Sequence, residues 1–250
     1  MLLIRDLYRK EYDRPVKVSR PAKSIMIATI PRSGSTYFGI CMWHEGVFGL
    51  PLEYLNPNTS AFIRKRLGRN LDEYWRNVQS VRCTPNLVFC YKMFIANYIH
   101  YQRKHTAFLE RIAPDHVIYL TRGDKVGQAI SYARAIQTRR WFAAVEEQNP
   151  AEYSYARIRA QEKAIRDQER FWERIFDVTG TVPLRVEYEQ LLSDRAAVMH
   201  RIADFAGVKL DPAQRLEIGN IEKQSDRTND DWRERYLEDR AKRVSAASPA

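Results

Sequence analysis

Cysteine is scarce in this chain. Cys41, Cys83 and Cys90 are the only three in 250 residues, an odd count with no ligand-like spacing. Neither a disulfide framework nor a cysteine zinc site is expected, and such usage fits a reducing compartment. Glycine and proline are sparse too, at 10 and 11 residues, which argues against collagen-like repeats and long low-complexity linkers. Long apolar runs are missing. The stretch 25–30 falls far short of the roughly 20 residues that cross a bilayer as a helix. Residues 1–10 alternate in charge without an apolar stretch, so no secretory signal is read there, and a cytoplasmic protein is expected. The start, residues 1–20, reads instead as an arm that packs on the body or on a second subunit.

Acidic residues are outnumbered. Thirty-one Asp and Glu face 41 Lys and Arg, leaving a net charge of +10. That excess favours an anionic partner: a nucleotide, a sulfated or phosphorylated substrate, nucleic acid or an acidic membrane surface. Absent are a helix-turn-helix signature, a zinc finger and an aromatic RNA-binding string, which argues against a basic nucleic-acid-binding module. The rest is ordinary globular composition, with 44% hydrophobic and 12% aromatic residues. One domain over residues 1–240 is expected. Residues 241–250, small and polar, read as a disordered tail.

What is present is an alternation of strands and helices. Residues 24–29 (SIMIAT) form a short apolar run after Pro21 and read as a buried strand. Tyr37, Ile40, Cys41 and His44 then fall at helical spacing. Helices are predicted over 71–81, 96–104, 124–138, 156–178 and 195–206, and strands over 87–94, 116–121 and 182–186. Asp124 is placed to cap its helix, and Gly180 and Gly207 to end theirs. Ile158, Ile165, Trp172, Ile175 and Phe176 make one buried stripe. The pattern implies an α/β fold with a largely parallel central sheet flanked by helices.

Between the first strand and first helix lies Pro31-Arg32-Ser33-Gly34-Ser35-Thr36. A strand running into a Ser/Gly loop and then a helix directs loop and first-turn N–H groups at one place, an anion site. Gly34 lets the backbone approach closely, Ser33, Ser35 and Thr36 add hydroxyl donors, and Arg32 adds charge. The loop lacks the Gly-Lys pair of a Walker A sequence, whose lysine reaches the β- and γ-phosphates. A small-molecule kinase related to P-loop proteins is therefore a second choice.

These residues resemble the 5′-phosphosulfate loop of sulfotransferases that use 3′-phosphoadenosine 5′-phosphosulfate (PAPS). Further segments narrow the resemblance to the bacterial trehalose sulfotransferase family: Gly49-Leu50-Pro51-Leu52-Glu53-Tyr54, the run Arg122 to Ser131 followed by Gln137-Thr138 and Trp141, Val186 to Leu191, and Gln224 to Trp232. The resemblance spans residues 25–235 in order. It implies a P-loop-like sulfotransferase fold, PAPS as co-substrate with no metal, a homodimer, and transfer of SO₃ to a sugar or glycolipid hydroxyl.

Arg122 stands just past the third strand, at its C-terminal end, where open α/β sheets place ligands. Gln128 and Ser131 are three apart on the following helix and share a face, on which Gly127 leaves room. Arg122 and Ser131 are thus placed to close on one phosphate, the arginine as a fork of donors. A strand-end arginine paired with a surface carboxylate is the competing explanation. The resemblance makes Arg122 and Ser131 the 3′-phosphate clamp, and puts Gln224 and Arg227 in a late loop over the nucleotide.

Sulfuryl transfer to a hydroxyl needs a base. His44, Glu45 and Glu53 are the candidates. His44 lies on an apolar helix face and Glu45 at a helix end. Glu53 lies between Leu52 and Tyr54 after a Gly-Leu-Pro turn. Apolar neighbours disfavour the charged form of a carboxylate, which suits base work. The resemblance makes Glu53 the catalytic base, with Arg32 and the loop amides stabilising the departing phosphate. Lys92, near the end of the second strand, is not counted among the site residues. The basic run Arg64, Lys65, Arg66 and Arg69 reads as a solvated face, with an acceptor site or anionic lipid as the alternative.

Overall fold

The structure is a computed structural model, which describes residues 4–14, 20–141, 148–217 and 227–247. The chain opens with two 3-10 turns and enters β1 (Lys23–Thr29), α1 (Ser35–His44), α2 (Pro57–Leu67), α3 (Leu71–Arg82) and β2 (Val88–Phe94). It continues through α4 (Ile95–Lys104), α5 (Thr106–Arg111), β3 (His116–Thr121), α6 (Lys125–Thr138) and α7 (Tyr155–Thr179). The last elements are β4 (Leu184–Glu187), α8 (Tyr188–Ser193), α9 (Arg195–Ala206) and α10 (Arg227–Ala247).

Four strands pair in the order β2-β1-β3-β4, all parallel. Successive side chains of a strand point to opposite faces, and both faces here are apolar. Ile25, Ile27, Val88, Cys90, Ile118 and Leu120 pack with Phe38 and Met42 of α1 and Ile202 of α9. Met26, Ala28, Phe89, Tyr91, Val117 and Tyr119 pack with Trp75 of α3 and Ile158, Ile165 and Trp172 of α7. Burial on both faces is why these strands read as continuous apolar runs.

The expected α/β architecture is present, and the cap signals hold. The Asp124 carboxylate accepts from the Gly127 amide at 3.0 Å. Gly180 and Gly207 end their helices with φ of 64° and 57°, a left-handed conformation that suits glycine. The tail expectation is corrected: α10 runs to Ala247 through most of the segment expected to lack structure. Trp232 and Tyr236 bury its inner face, and alanine, lysine and arginine, good helix formers, carry it onward.

The arm packs on its own body. Leu7 and Tyr8 are buried. Arg82 of α3, itself buried, donates to the carbonyls of Leu7, Arg9 and Tyr12 and pairs with Asp13 at 3.1 Å. Arg66, from the basic run, pairs with the same aspartate.

Candidate functional site

The chain leaves β1 toward β2 and leaves β3 toward β4, on the opposite side. Such a divergence opens a crevice at the C-terminal ends of the two strands. The loops after β1 and β3 flank it.

The first loop is braced from below. Thr29 Oγ1 lies 2.7 Å from Ser33 Oγ and donates to the Leu120 carbonyl at 3.0 Å. Trp172 Nε1 donates to the Thr29 carbonyl at 3.0 Å and Gln128 Nε2 to the Pro31 carbonyl at 2.9 Å. Ser33 is fully buried. Its hydroxyl braces the loop from below. Ser35 is buried at the first turn of α1 and Thr36 half-buried. Arg32 holds a φ of 64°, a left-handed conformation uncommon for a residue with a side chain and concentrated at functional sites.

Four arginines gather beside this loop. Arg32 Nε donates to Ser131 Oγ at 2.8 Å, and its Nη1 to the Trp141 carbonyl at 2.7 Å. Burial, and then the charges of Arg122, Arg134 and Arg140, push the Arg32 guanidinium down to about 10. Neighbouring like charges disfavour one another's charged forms, and a bound anion relieves them. Arg134 also donates to Asn229 Oδ1 at 2.7 Å and stands 6.0 Å over the Trp232 ring, which docks α10 onto α6. The sequence reading missed Arg134 and Arg140. Arg134 lies three residues after Ser131 and shares its face, a signal that was available; Arg140, past the helix end, gave none.

The second loop is equally constrained. Glu189 accepts from the amides of Gly123 and Asp124 at 2.9 and 3.1 Å. Arg122 stands 5.7 Å over the Tyr188 ring, donates to Asp124 Oδ2 at 3.1 Å, and leaves its buried Nε without a hydrogen-bond partner. The room that Gly127 leaves is taken by Asp124: a Cβ there would lie 2.1 Å from its Oδ2. Of the expected Arg122–Ser131 clamp, Ser131 accepts from Arg32 and Arg122 donates to Asp124. Arg227 opens α10 as an exposed residue, and Gln224 lies outside the described residues.

Glu53 reaches the sheet through a short parallel bridge between Leu52 and Tyr91, with the Lys92 amide donating to the Leu52 carbonyl at 2.9 Å. Its side chain is only partly apolar in its surroundings. Lys92 Nζ stands 3.0 Å from Oε1, and Asn56 Nδ2 donates to Oε2 at 2.7 Å. The Glu53 amide donates to the Tyr8 hydroxyl at 2.9 Å. Burial and then the charge of Glu53 hold the Tyr8 phenol well above its usual range. The rival bases are engaged elsewhere: His44 Nδ1 lies 2.7 Å from the Leu216 carbonyl, and Glu45 pairs with Arg215 at 3.0 Å. Lys92 was the residue to suspect, since a lysine inside the run Val88–Phe94 is buried and needs a partner.

Comparison with known proteins identifies the family. A family model described as Stf0 sulphotransferase matches residues 24–239. A trehalose 2-sulfotransferase of Mycolicibacterium smegmatis is 29% identical over 261 aligned residues, covering 88% of this chain and 96% of the relative. A trehalose 2-sulfotransferase of Mycobacterium tuberculosis is 30% identical over 123 residues, covering 48% of this chain and 44% of the relative.

Proposed function

Because the chain belongs to the Stf0 sulphotransferase family, and is thus a sulfotransferase, we propose that it moves the sulfuryl group of PAPS to a carbohydrate hydroxyl, that of a trehalose-like disaccharide or a glycolipid sugar. The convergence of Arg32, Arg122, Arg134 and Arg140 on the crevice between β1 and β3 carries this reading. Two further features fit a nucleotide with phosphates at both ends. Arg122 Nε is a buried donor without a partner, and Gly34 turns the loop into the first turn of α1 with a left-handed φ of 82°.

In this reading the amides of Ser33, Gly34, Ser35 and Thr36 and the side chain of Arg32 hold the phosphosulfate end. Ser131 steadies Arg32. Arg122 and Ser131 take the 3′-phosphate, and Gln224 and Arg227 add contacts to the nucleotide. PAPS, when bound, supplies the sulfuryl group. Glu53 accepts the proton of the sugar hydroxyl, and the loop donors are already aimed where negative charge grows. Transfer is expected to survive chelation, because a sulfuryl group carries less negative charge than the phosphoryl group that kinases clamp with magnesium.

Incubation with labelled PAPS and a panel of sugars, with the product identified by mass, tests the reading. The Glu53→Gln variant is expected to lower turnover by roughly 10²–10⁴ while keeping nucleotide affinity. Stronger thermal stabilisation by ATP than by PAPS would count against it. A homodimer in the cytoplasm is part of the same proposal, and sedimentation tests the dimer. Among the described residues no helix is long and apolar enough to cross a membrane.

A further inference from the structure

The arginine cluster does not account for the pair Lys92–Glu53. Lys92 is 4% exposed and Glu53 7%. Two charges taken out of water are retained only where geometry and added hydrogen bonds compensate, and here the geometry is fixed from several directions. Asn56 caps α2, its Oδ1 accepting from the Asn58 amide at 3.1 Å. That bond determines which end of the side-chain amide remains, so Nδ2 faces Glu53 Oε2. Each carboxylate oxygen thus meets a donor. Lys92 is joined to this segment twice, by Nζ to Oε1 and by its own amide to the Leu52 carbonyl. The Tyr8 hydroxyl takes the Glu53 amide from the other side.

We propose that Lys92 is the positioning residue of the base: together with Asn56 it holds the Glu53 carboxylate oriented toward the acceptor hydroxyl. The inference rests on the reading of Glu53 as base. Lys92 and Asn56 each take one lone pair, on different oxygens, and one of the two lone pairs left over receives the acceptor proton. Without the ammonium the carboxylate is free to turn, and a displacement of about 1 Å can cost about 10²-fold in rate.

A double-mutant cycle on the full chain tests this. Lys92→Met is expected to lower kcat by about 10²-fold, with affinity for adenosine 3′,5′-bisphosphate changed by less than about twofold. Lys92→Arg, which keeps the charge, recovers part of the loss. In the Glu53→Gln background Lys92→Met costs less than about a further twofold, since a residue acting through Glu53 has nothing left to position. Equal losses in both backgrounds overturn the inference, as does a loss of nucleotide affinity with kcat preserved. Near-normal turnover of Glu53→Gln overturns the base reading itself, whereas a crippled Glu53→Gln beside a normal Lys92→Met overturns only the role of Lys92. Should Lys92→Met, which strands a buried carboxylate, fail to fold, the same cycle is run with Lys92→Arg and judged by the same additivity.

Discussion

The ring of Tyr188 lies across Gly34 so closely that a Cβ on residue 34 would stand 2.1 Å from its Cδ2. The same ring meets Tyr37 edge-on at 6.5 Å and lies under the Arg122 guanidinium at 5.7 Å. One side chain of α8 therefore touches both loops of the crevice, and the first loop keeps its path only with glycine at 34.

Gly34→Ala should accordingly weaken adenosine 3′,5′-bisphosphate binding by at least tenfold. Its φ of 82° is strained for alanine, which costs about 1–3 kcal/mol before the clash is counted. For a chain of this size that corresponds to a fall of roughly 2–10 °C in Tm. Removing the ring as well, in Gly34→Ala/Tyr188→Ala, relieves the clash but not the dihedral, so stability should return only in part. Unchanged binding in the single variant would show that the loop has room to adapt.

Arg32 should trade stability for binding. Burial and three neighbouring arginines already push its guanidinium down to about 10, so its charged form is disfavoured in the folded chain at neutral pH. The sign follows: the cost is present below pH 10 and fades as pH rises toward the unfolded value. Arg32→Met removes that cost together with the bonds to Ser131 and Trp141. The expected net result is a ligand-free protein about 2–4 °C more stable, roughly 1 kcal/mol, with little response to added nucleotide. Scanning fluorimetry with and without adenosine 3′,5′-bisphosphate checks both halves; a less stable apo variant would mean that the lost hydrogen bonds outweigh the repulsion.

Local features are legible in the amino-acid sequence, and partnerships across the chain are not. The apolar run before Pro31 marks β1, and the stripe Ile158, Ile165, Trp172 and Phe176 marks α7, because burial imposes its period on the sequence. Asp124, Gly180 and Gly207 announce helix ends through backbone chemistry that acts over three or four residues. The bond from Arg32 to Ser131 joins residues 99 apart and depends on which strands become neighbours. The Lys92–Glu53 pair needs β2 to carry its lysine beneath the segment after Gly49, a consequence of the Leu52–Tyr91 bridge. The contact of Ser33 with Thr29 is likewise a property of the packed sheet.

Arg122 should be the residue that separates PAPS from adenosine 5′-phosphosulfate, which lacks the 3′-phosphate. A charge-assisted hydrogen bond contributes about 1.5–3 kcal/mol, so Arg122→Ala should weaken PAPS binding by at least about tenfold and barely affect the shorter donor. Arg32→Ala should weaken both, since both carry the phosphosulfate end. Isothermal titration of two ligands against two variants makes the comparison, and equal losses for Arg122→Ala would return that residue to a structural role.

Asp124 is the place where acid should loosen the site. Its carboxylate accepts from both terminal nitrogens of Arg233 at 2.9–3.0 Å, from Arg122 at 3.1 Å and from the Gly127 amide at 3.0 Å. Burial alone raises its pKa, but the bonds from Arg233 and Gly127 and the charge of Arg122 outweigh that, and the group lies below its ordinary value of 3.8. A carboxylate lowered on folding stabilises the fold fully above the unfolded pKa and loses that contribution as pH falls through the folded one. The variant Asp124→Asn tests the effect, because asparagine caps a helix about as well as aspartate, while the charge and one acceptor oxygen, replaced by an amide donor, are lost. Ion-paired hydrogen bonds at a partly exposed site, discounted for solvent screening, contribute about 1–2 kcal/mol. Urea unfolding should show the variant less stable by that amount between pH 7 and pH 5, with the gap closing below about pH 4. Arg233→Met should cost much less in the Asp124→Asn background than in the native one. A gap that persisted unchanged at low pH, or an Arg233 effect of equal size in both backgrounds, would show that the salt bridge between the second loop and α10 is not what holds them together.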